Sequence, residues 1–269
     1  MAPTLTPFLS VIIPVYNGEK YLGDAIHSVL DPGRAPMEVI VVDDGSTDGT
    51  AEIASEFDGR VSYVAQANHG PAAARNRGLQ LARGEVVGFL DSDDLWTENV
   101  VTRALASLTE RQDVDIVQGR IQEIKPRASG AMGSAYACFA RPYPFINIGS
   151  AVYRKKVFAK VGGFDETMRF CEDYDWFLRA FDARIPKLRI DEVTLLYRTH
   201  AASMTHGKSV HEIGMAKAHK KAIQRRRQGA VGSNLPPLFP TLAEYIGSRP
   251  ATAARDDVSE NVSESDHDK

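Results

Sequence analysis

NHGPAAARNRGLQLARGEVVGFLDSDD, residues 68–94, is the stretch whose reading decides the fold. At its centre Val86 to Leu90 is short, apolar and β-prone, and it reads as a buried strand fed by a basic helix from about Pro71 to Ala82. The strand empties into Asp91, Ser92, Asp93 and Asp94, which together hold three carboxylates. In an open α/β sheet the carboxyl ends of the strands are where ligands bind. Like charges gathered there are costly unless something cationic holds them. Asp-x-Asp spacing also puts two side chains on one side of an extended backbone, where one hard divalent ion could take both. A metal with phosphate is the natural occupant.

Upstream, strands are expected at Phe8 to Ile13, Val39 to Val42 and Val61 to Ala65. Asn17 or Gly18 opens a helix with Tyr21, Leu22, Ala25, Ile26, Val29 and Leu30 at helical spacing, and the turn-forming run Asp43 to Thr50 leads a second helix through Phe57. Downstream, Thr97 caps a helix to about Arg111, and Ile116 to Ile124 returns as a strand. This alternation predicts βαβ units on a parallel sheet. From Lys125 to Pro144 the pattern dissolves into Gly, Ala, Ser and Pro with scattered aromatics, which suggests a long loop or a lid. Ile148 to Tyr153 then reads as a strand, Arg154 to Val161 as a helix and Gly162 to Phe164 as a turn. A helix begins near Glu172 and carries Trp176, Phe177 and Ala180 on one face; Val193 to Tyr197 is a strand, Arg198 to Gly207 a polar loop and Ser209 to Gln228 a basic helix. From Pro250 on, low hydrophobicity and excess acid argue for disorder. There is no internal repeat.

The 269 residues, 43% hydrophobic, suffice for one sizeable core. A formal charge of −3 hides a basic run from Lys217 to Arg227 and an acidic end from Asp256, and neither argues for nucleic acid. Cys138 and Cys171 lack metal-type spacing, so free thiols in a reducing compartment are the default. The first apolar run has no positive flank and is cut by Pro14, so it reads as a strand rather than a signal peptide, and no window approaches a membrane span. A cytoplasmic protein is expected, with peripheral contact at the inner face of the membrane left open. Residues 14–18 lack the Arg or Lys that a sugar-nucleotide pyrophosphorylase would want there, and no G-x-G-x-x-G follows the first strand to favour a dinucleotide-binding dehydrogenase.

Taken in order, SVIIPVYNGEKYL (10–22), VDDGSTDGT (42–50), ARNRGLQLARGEVVGFLDSDD (74–94), GGFDE (162–166), CEDYDWFLRA (171–180) and YRTHAASMT (197–205) resemble the family 2 glycosyltransferases of the GT-A fold. The resemblance implies an α/β fold with a Rossmann-like, mostly parallel central sheet flanked by helices and a smaller acceptor-side half. Residues 1–124 would form the nucleotide-sugar-binding half and 125–208 the acceptor-binding and catalytic half. A basic helix and extension (209–249) and the acidic tail (250–269) would follow.

The same resemblance implies residue roles. Asp44 would accept a hydrogen bond from a uracil ring, with Pro14, Tyr16 and Asn17 forming the neighbouring nucleotide wall. Arg75 would face the diphosphate, with Arg77 as the second candidate. Asp93 would bind Mn²⁺ or Mg²⁺, Asp91 would contact ribose or support the metal, and Ser92 would lie among the nucleotide-binding residues. His200, in preference to His206, would complete the metal or phosphate site. Asp173 would be the general base that takes the acceptor's proton, Glu172 would orient the acceptor or the loop, and Gly149 and Trp176 would shape the acceptor pocket.

Plainer readings exist for each. Asp44 could cap the following helix, and Asp94 is read as a turn or capping acid. Glu172 and Asp173 suit a helix dipole, Trp176 suits a core, and a lone loop histidine is usually a surface residue. The basic helix could be a solvated face, a partner for the acidic tail, or a rest on an anionic membrane. The leading expectation is an inverting transferase that moves a sugar from a nucleotide-diphosphate donor, UDP-linked by family habit, to a hydroxyl acceptor in polysaccharide, cell-surface glycan or glycolipid synthesis. The acceptor could be a growing polysaccharide, a lipid-linked oligosaccharide, a protein or a small molecule. A non-catalytic nucleotide-sugar binder or scaffold is the alternative, and it would not need Asp173 across from the Asp-x-Asp acids.

Overall fold

Four strands, β1 (Leu9–Val15), β2 (Met37–Asp43), β3 (Ser62–Ala65) and β4 (Val86–Phe89), lie in the order β3-β2-β1-β4, all parallel. The structure, a computed structural model, describes residues 8–30, 37–126, 136–200, 203–204 and 214–228. Beyond β4 the sheet continues through β8 (Ala151–Arg154), β6 (Ile116–Pro126), β9 (Lys187–Arg198) and β5 (Leu95–Trp96), with β7 (Tyr136–Cys138) paired to β6. β8 is antiparallel to both β4 and β6, while β6 and β9 are parallel, so among the described residues six of the nine strands run the same way. The result is a mixed, mostly parallel sheet, with the carboxyl ends of β1, β2 and β4 at one edge.

Helices cover both faces. β1 shows why: Leu9, Val11 and Ile13 point into one core and Ile12 into the other. The first core packs α1 (Leu22–Leu30), α2 (Thr50–Ser55) and the helical segment Val100–Leu105, of π geometry, that runs into α4 (Ala106–Glu110). The second packs α3 (Pro71–Leu81), α5 (Lys156–Val161), α6 (Glu172–Asp182) and α7 (Met215–Arg227). Each fully buried Leu, Ile or Phe contributes about 1.5–3 kcal/mol. Gly78 of α3 lies so close to the Ile12 side chain that a Cβ would collide with it. That contact seats α3, and with it Arg75, directly on β1.

Several elements depart from the sequence expectations. The strand expected at Val193 to Tyr197 is the end of a twelve-residue β9. Charges at Arg189 and Asp191 alternate with partly buried residues there, so the segment does not look apolar although one face is covered. β5 is two residues long, below any periodicity. Within the expected lid, β6 runs on to Pro126 and Tyr136–Cys138 pairs with it, while residues 127–135 lie outside the described residues. The strand expected from Ile148 opens as a 3-10 turn over Ile148–Ser150 before β8. The helical segment after Thr97 begins at Val100; the Thr97 hydroxyl accepts from Asn99 N (3.3 Å) at its entry and donates to Val193 O (2.6 Å). Most of the polar loop after Arg198, the start of the basic helix and the tail from Pro250 also lie outside the described residues.

Candidate active site

The β2 exit and the β1 exit are tied together. Asn17, in the left-handed region at φ 52°, accepts from Thr47 N (2.8 Å) and donates its own N–H to Ser46 Oγ (2.8 Å). Pro14 is buried beneath this junction and Tyr16 stands 54% exposed beside it. Asp44 is buried and accepts from Gln66 Nε2 (2.8 Å), His69 N (3.0 Å) and Gly70 N (2.7 Å). Its carboxylate therefore fixes the segment leading to α3 and not the start of α2. A carboxylate offers about four acceptor positions, so one remains for a further donor.

At the end of β4 the chain turns, with Asp94 N bonded to Asp91 O (3.0 Å). Asp94 points inward, 1% exposed, and accepts from Arg198 N (2.9 Å), which locks the turn to the end of β9. Burial, then Asp93 and Asp91, hold its carboxyl well above the usual range. Ser92 Oγ faces the Gly18 backbone across the turn. Asp93 lies 3.0 Å from His200 Nε2, and the imidazole packs against the Tyr21 ring, with centroids 4.6 Å apart. Burial and the charge of Asp91 push the Asp93 carboxyl upward, against the pull of His200.

Asp91 turns the other way, to Arg75 Nη2 (2.7 Å). Arg75 is 5% exposed, and its Nη1 donates to Glu172 at the start of α6. One buried guanidinium thus joins the β4 turn to a helix 97 residues away. Burial works against the arginine's charge, but Asp91, Glu172 and Asp173 more than offset it and raise its pKa. Cys171 sits at φ 59° immediately before α6, a left-handed residue that swings the chain so that the helix starts with Glu172 and Asp173 facing the turn. Glu172 is buried in the ion pair. Asp173 has no ion pair among the described residues and accepts from Tyr174 N (2.7 Å). Burial, then Glu172, push its carboxyl up to about 7, with Arg75 pulling the other way. Trp176 packs against Phe158 in the core, with centroids 4.6 Å apart, and donates to Gly162 O (2.9 Å), so it does not line the acceptor side. Gly149 O takes the Trp96 indole N–H at 2.8 Å.

The geometry therefore brings Asp91, Asp93, His200, Arg75, Glu172 and Asp173 into one connected cluster. Among the described residues no three His, Cys, Asp or Glu side chains are preassembled as a metal cage. Asp93, Asp91 and His200 still suit a divalent ion. Hard oxygen donors stand beside an imidazole, the Asp93 carboxylate is under-neutralised, and Mg²⁺-type ions commonly take one or two carboxylates and fill the remainder with phosphate and water. A separate cavity of about 430 Å³ lies between α6 and α7, lined by Asp165, Asp175, Arg179, Lys221 and Arg225 among others, and none of the cluster residues borders it. Sequence reasoning missed Arg198, Tyr21 and Asp24, which close the site behind His200. Arg198 was legible only as the start of a polar loop.

The family model for glycosyl transferase family 2 matches residues 10–164, and that for glycosyltransferase like family 2 matches residues 129–222. The chain belongs to glycosyltransferase family 2. It is 28% identical over 246 residues to the uncharacterized glycosyltransferase EpsJ of Bacillus subtilis, covering 84% of this chain and 70% of that one. It is 44% identical over 109 residues to the putative teichuronic acid biosynthesis glycosyltransferase TuaG of the same organism, covering 39% of this chain and 43% of TuaG. Among solved structures, TarS 1-349 of S. aureus in complex with UDP-GlcNAc aligns with TM-score 0.60 at 25% identity over 80% of this chain and 65% of that one. The mannosyltransferase PcManGT of Pyrobaculum calidifontis, in complex with GDP-Man and Mn²⁺, aligns with TM-score 0.62 at 20% identity over 87% of this chain and 67% of that one, a likeness of fold. This family 2 glycosyltransferase has the mixed α/β GT-A architecture of those structures, and it spans 37% to 72% of the length of the TarS chains.

Proposed function

We propose that this chain is an inverting glycosyltransferase that moves one sugar from a nucleotide-diphosphate sugar, UDP-linked, to a hydroxyl of a cell-surface polysaccharide or glycolipid precursor. The observation that carries the reading is the Arg75 bridge, which makes the Asp-x-Asp turn and the start of α6 one site. TarS, solved with UDP-GlcNAc, and TuaG, named for teichuronic acid, support the donor and the acceptor class.

Asp93, with Asp91 and His200, would hold Mn²⁺ or Mg²⁺. A divalent ion there offsets the charge that develops on the departing diphosphate. Asp44, beside Asn17 and Tyr16 at the exits of β1 and β2, keeps an acceptor position for the imide N–H of the base. Direct displacement with inversion needs a base on the sugar face opposite the leaving group, and Asp173 takes the acceptor's hydroxyl proton there. Glu172, held by Arg75, keeps α6 in place while Asp173 stays unpaired.

Among the described residues no helix is long and apolar enough to cross a membrane. The reading places the enzyme in the cytoplasm, and contact with an anionic membrane falls to the outer face of α7. Lys221 and Arg225 are drawn inward to Asp165, Asp175 and Asp182, and Arg226 pairs with Asp182 at the surface, which leaves exposed Lys220, Arg227 and Ile223 for lipid. Salt-sensitive sedimentation with phosphatidylglycerol vesicles checks that contact, and no pelleting at low salt removes it.

Thermal-shift screening against UDP- and GDP-sugars with and without Mn²⁺ tests the whole reading. Stabilisation by a nucleotide-sugar that grows with the metal is the expected result, and no shift with any donor overturns it.

A further inference from the structure

Arg198, the last residue of β9, is completely buried, and of its guanidinium nitrogens Nη2 alone has a hydrogen-bond partner, Asp24 Oδ2 at 3.2 Å. Among the described residues Nε and Nη1 meet no acceptor. The rings of Tyr21 and Tyr136 lie 4.5 and 4.7 Å from the central carbon, contacts that offset part of the charge without accepting a hydrogen bond in the guanidinium plane. A buried guanidinium with two unmet donors is expensive, because the penalty for stripping water from those N–H groups is not returned.

Among the described residues Asp24 is the one carboxylate in ion-pair contact with the guanidinium, and it is a poor partner; the Asp94 carboxylate feels the arginine's charge while bonding only its backbone N–H. Asp24 lies on α1 with 51% of its side chain exposed, and it also accepts from the Tyr136 hydroxyl (2.6 Å). The carboxylate side of the pair is open to water, which screens the contact, while the guanidinium side is enclosed. The location is what makes the group useful. The Arg198 backbone N–H locks the Asp91 to Asp94 turn through Asp94, and His200, two residues on, touches both Asp93 and the Tyr21 ring that lies beside the guanidinium. The Tyr21 ring is thus the neighbour that the guanidinium shares with His200, which sets Arg198 one ring away from Asp93. Arg75 is committed to two carboxylates and has Nε as its one unmet donor.

We propose that Asp24 and the donor's diphosphate compete for Arg198. The guanidinium exchanges a single exposed carboxylate contact for the fork of phosphate oxygens, to which its planar donors are matched. Asp24 then sets donor affinity from outside the site, without touching the nucleotide. The inference rests on the nucleotide-sugar reading above and adds a residue to it.

Isothermal titration of UDP and GDP with Mn²⁺, each beside its nucleoside, tests it in wild type, Asp24→Asn, Arg198→Met and the double variant. Asparagine keeps an oxygen for the Tyr136 hydroxyl, so Asp24→Asn removes charge and little else. Asp24→Asn should bind the diphosphate roughly two- to fivefold more tightly, the worth of the solvent-screened contact it removes, with nucleoside affinity unchanged. Arg198→Met should weaken the diphosphate about tenfold or more, and in the double variant the gain from Asp24→Asn should vanish. Because Arg198→Met empties a buried site and can cost folding, the Asp24→Asn result decides alone. Unchanged or weaker diphosphate binding by that variant overturns the proposal while wild-type binding keeps the nucleotide reading intact. Binding of neither diphosphate by wild type overturns both.

Discussion

The site has two acidic stations built on one plan and finished differently. At the end of β4, Arg75 takes Asp91 and leaves Asp93; at the start of α6, the same arginine takes Glu172 and leaves Asp173. Each leftover carboxyl is pushed upward by burial and by its own acidic neighbour. What differs is the company. Asp93 has an imidazole at 3.0 Å and a second acid two residues away, a setting that invites a cation. Asp173 has a backbone N–H and the field of Arg75, and lies close to neutral pH at about 7, a setting that suits a proton. On the proposed reading, two pairs of carboxylates sharing one counter-charge would separate into a site for a metal and a site for a base.

Removing the proton site gives the largest expected effect. Asp173→Asn should lower turnover by about 10²- to 10⁴-fold, the worth of a positioned base, while donor affinity measured by titration stays near wild type. Asp93→Asn should reverse the pattern and abolish metal-enhanced nucleotide binding. If both variants lose donor affinity alike, the two stations are not distinct. The shared counter-charge is the next largest. Arg75→Met leaves Glu172 buried, and Asp91 partly buried, without their guanidinium, which should cost about 3 kcal/mol in urea unfolding. A variant within 1 kcal/mol of wild type, in the sense of roughly that margin, would show that the bridge is not structural.

Much of the donor side was legible in the sequence because its signals are local. β4 and its acidic exit are contiguous, and a short apolar run followed by three acids needs no tertiary context. The start of α6 was legible for the same reason, since CEDYDWFLRA carries both its acids and its buried face. The link between them was not. Arg75 and Glu172 are 97 positions apart, and a basic residue on a helix reads as solvated until the helix is known to be pressed onto β1 through Gly78. Arg198 was hidden because β9 interleaves charge with hydrophobicity, so its last residue looked like loop. The plainer reading of Asp44, a cap on the following helix, names the wrong element: the donors it collects come from Gln66 to Gly70, contacts that local pattern cannot assign.

A finer test bears on the metal side. His200→Gln keeps a polar group beside Asp93 but removes the imidazole, and it should weaken Mn²⁺ binding by about tenfold with turnover at saturating Mn²⁺ largely restored. Restoration separates a ligand or its neighbour from a group needed for the chemical step. Failure to recover at any metal concentration would move His200 out of the cation site.

The smallest effect reads the two stations against each other through stability. Asp173 ionises near its ordinary 3.8 in the unfolded chain but holds its proton to about 7 in the folded one. Between those values the folded state binds more protons, so stability falls as pH rises across that window. Asparagine cannot ionise. Asp173→Asn should therefore match wild type near pH 4 and exceed it at pH 8, by on the order of 1–2 kcal/mol after allowing for the partial exposure of the side chain. Urea midpoints at the two pH values measure the gap, and an equal gap at both would mean the carboxyl is not desolvated. Mn²⁺ supplies the contrast: it should stabilise wild type and Asp173→Asn by the same amount at pH 8, because the charge it relieves is that of Asp93. If the metal instead closes the gap between them, the cation is reaching Asp173, and the division of labour between the two stations fails.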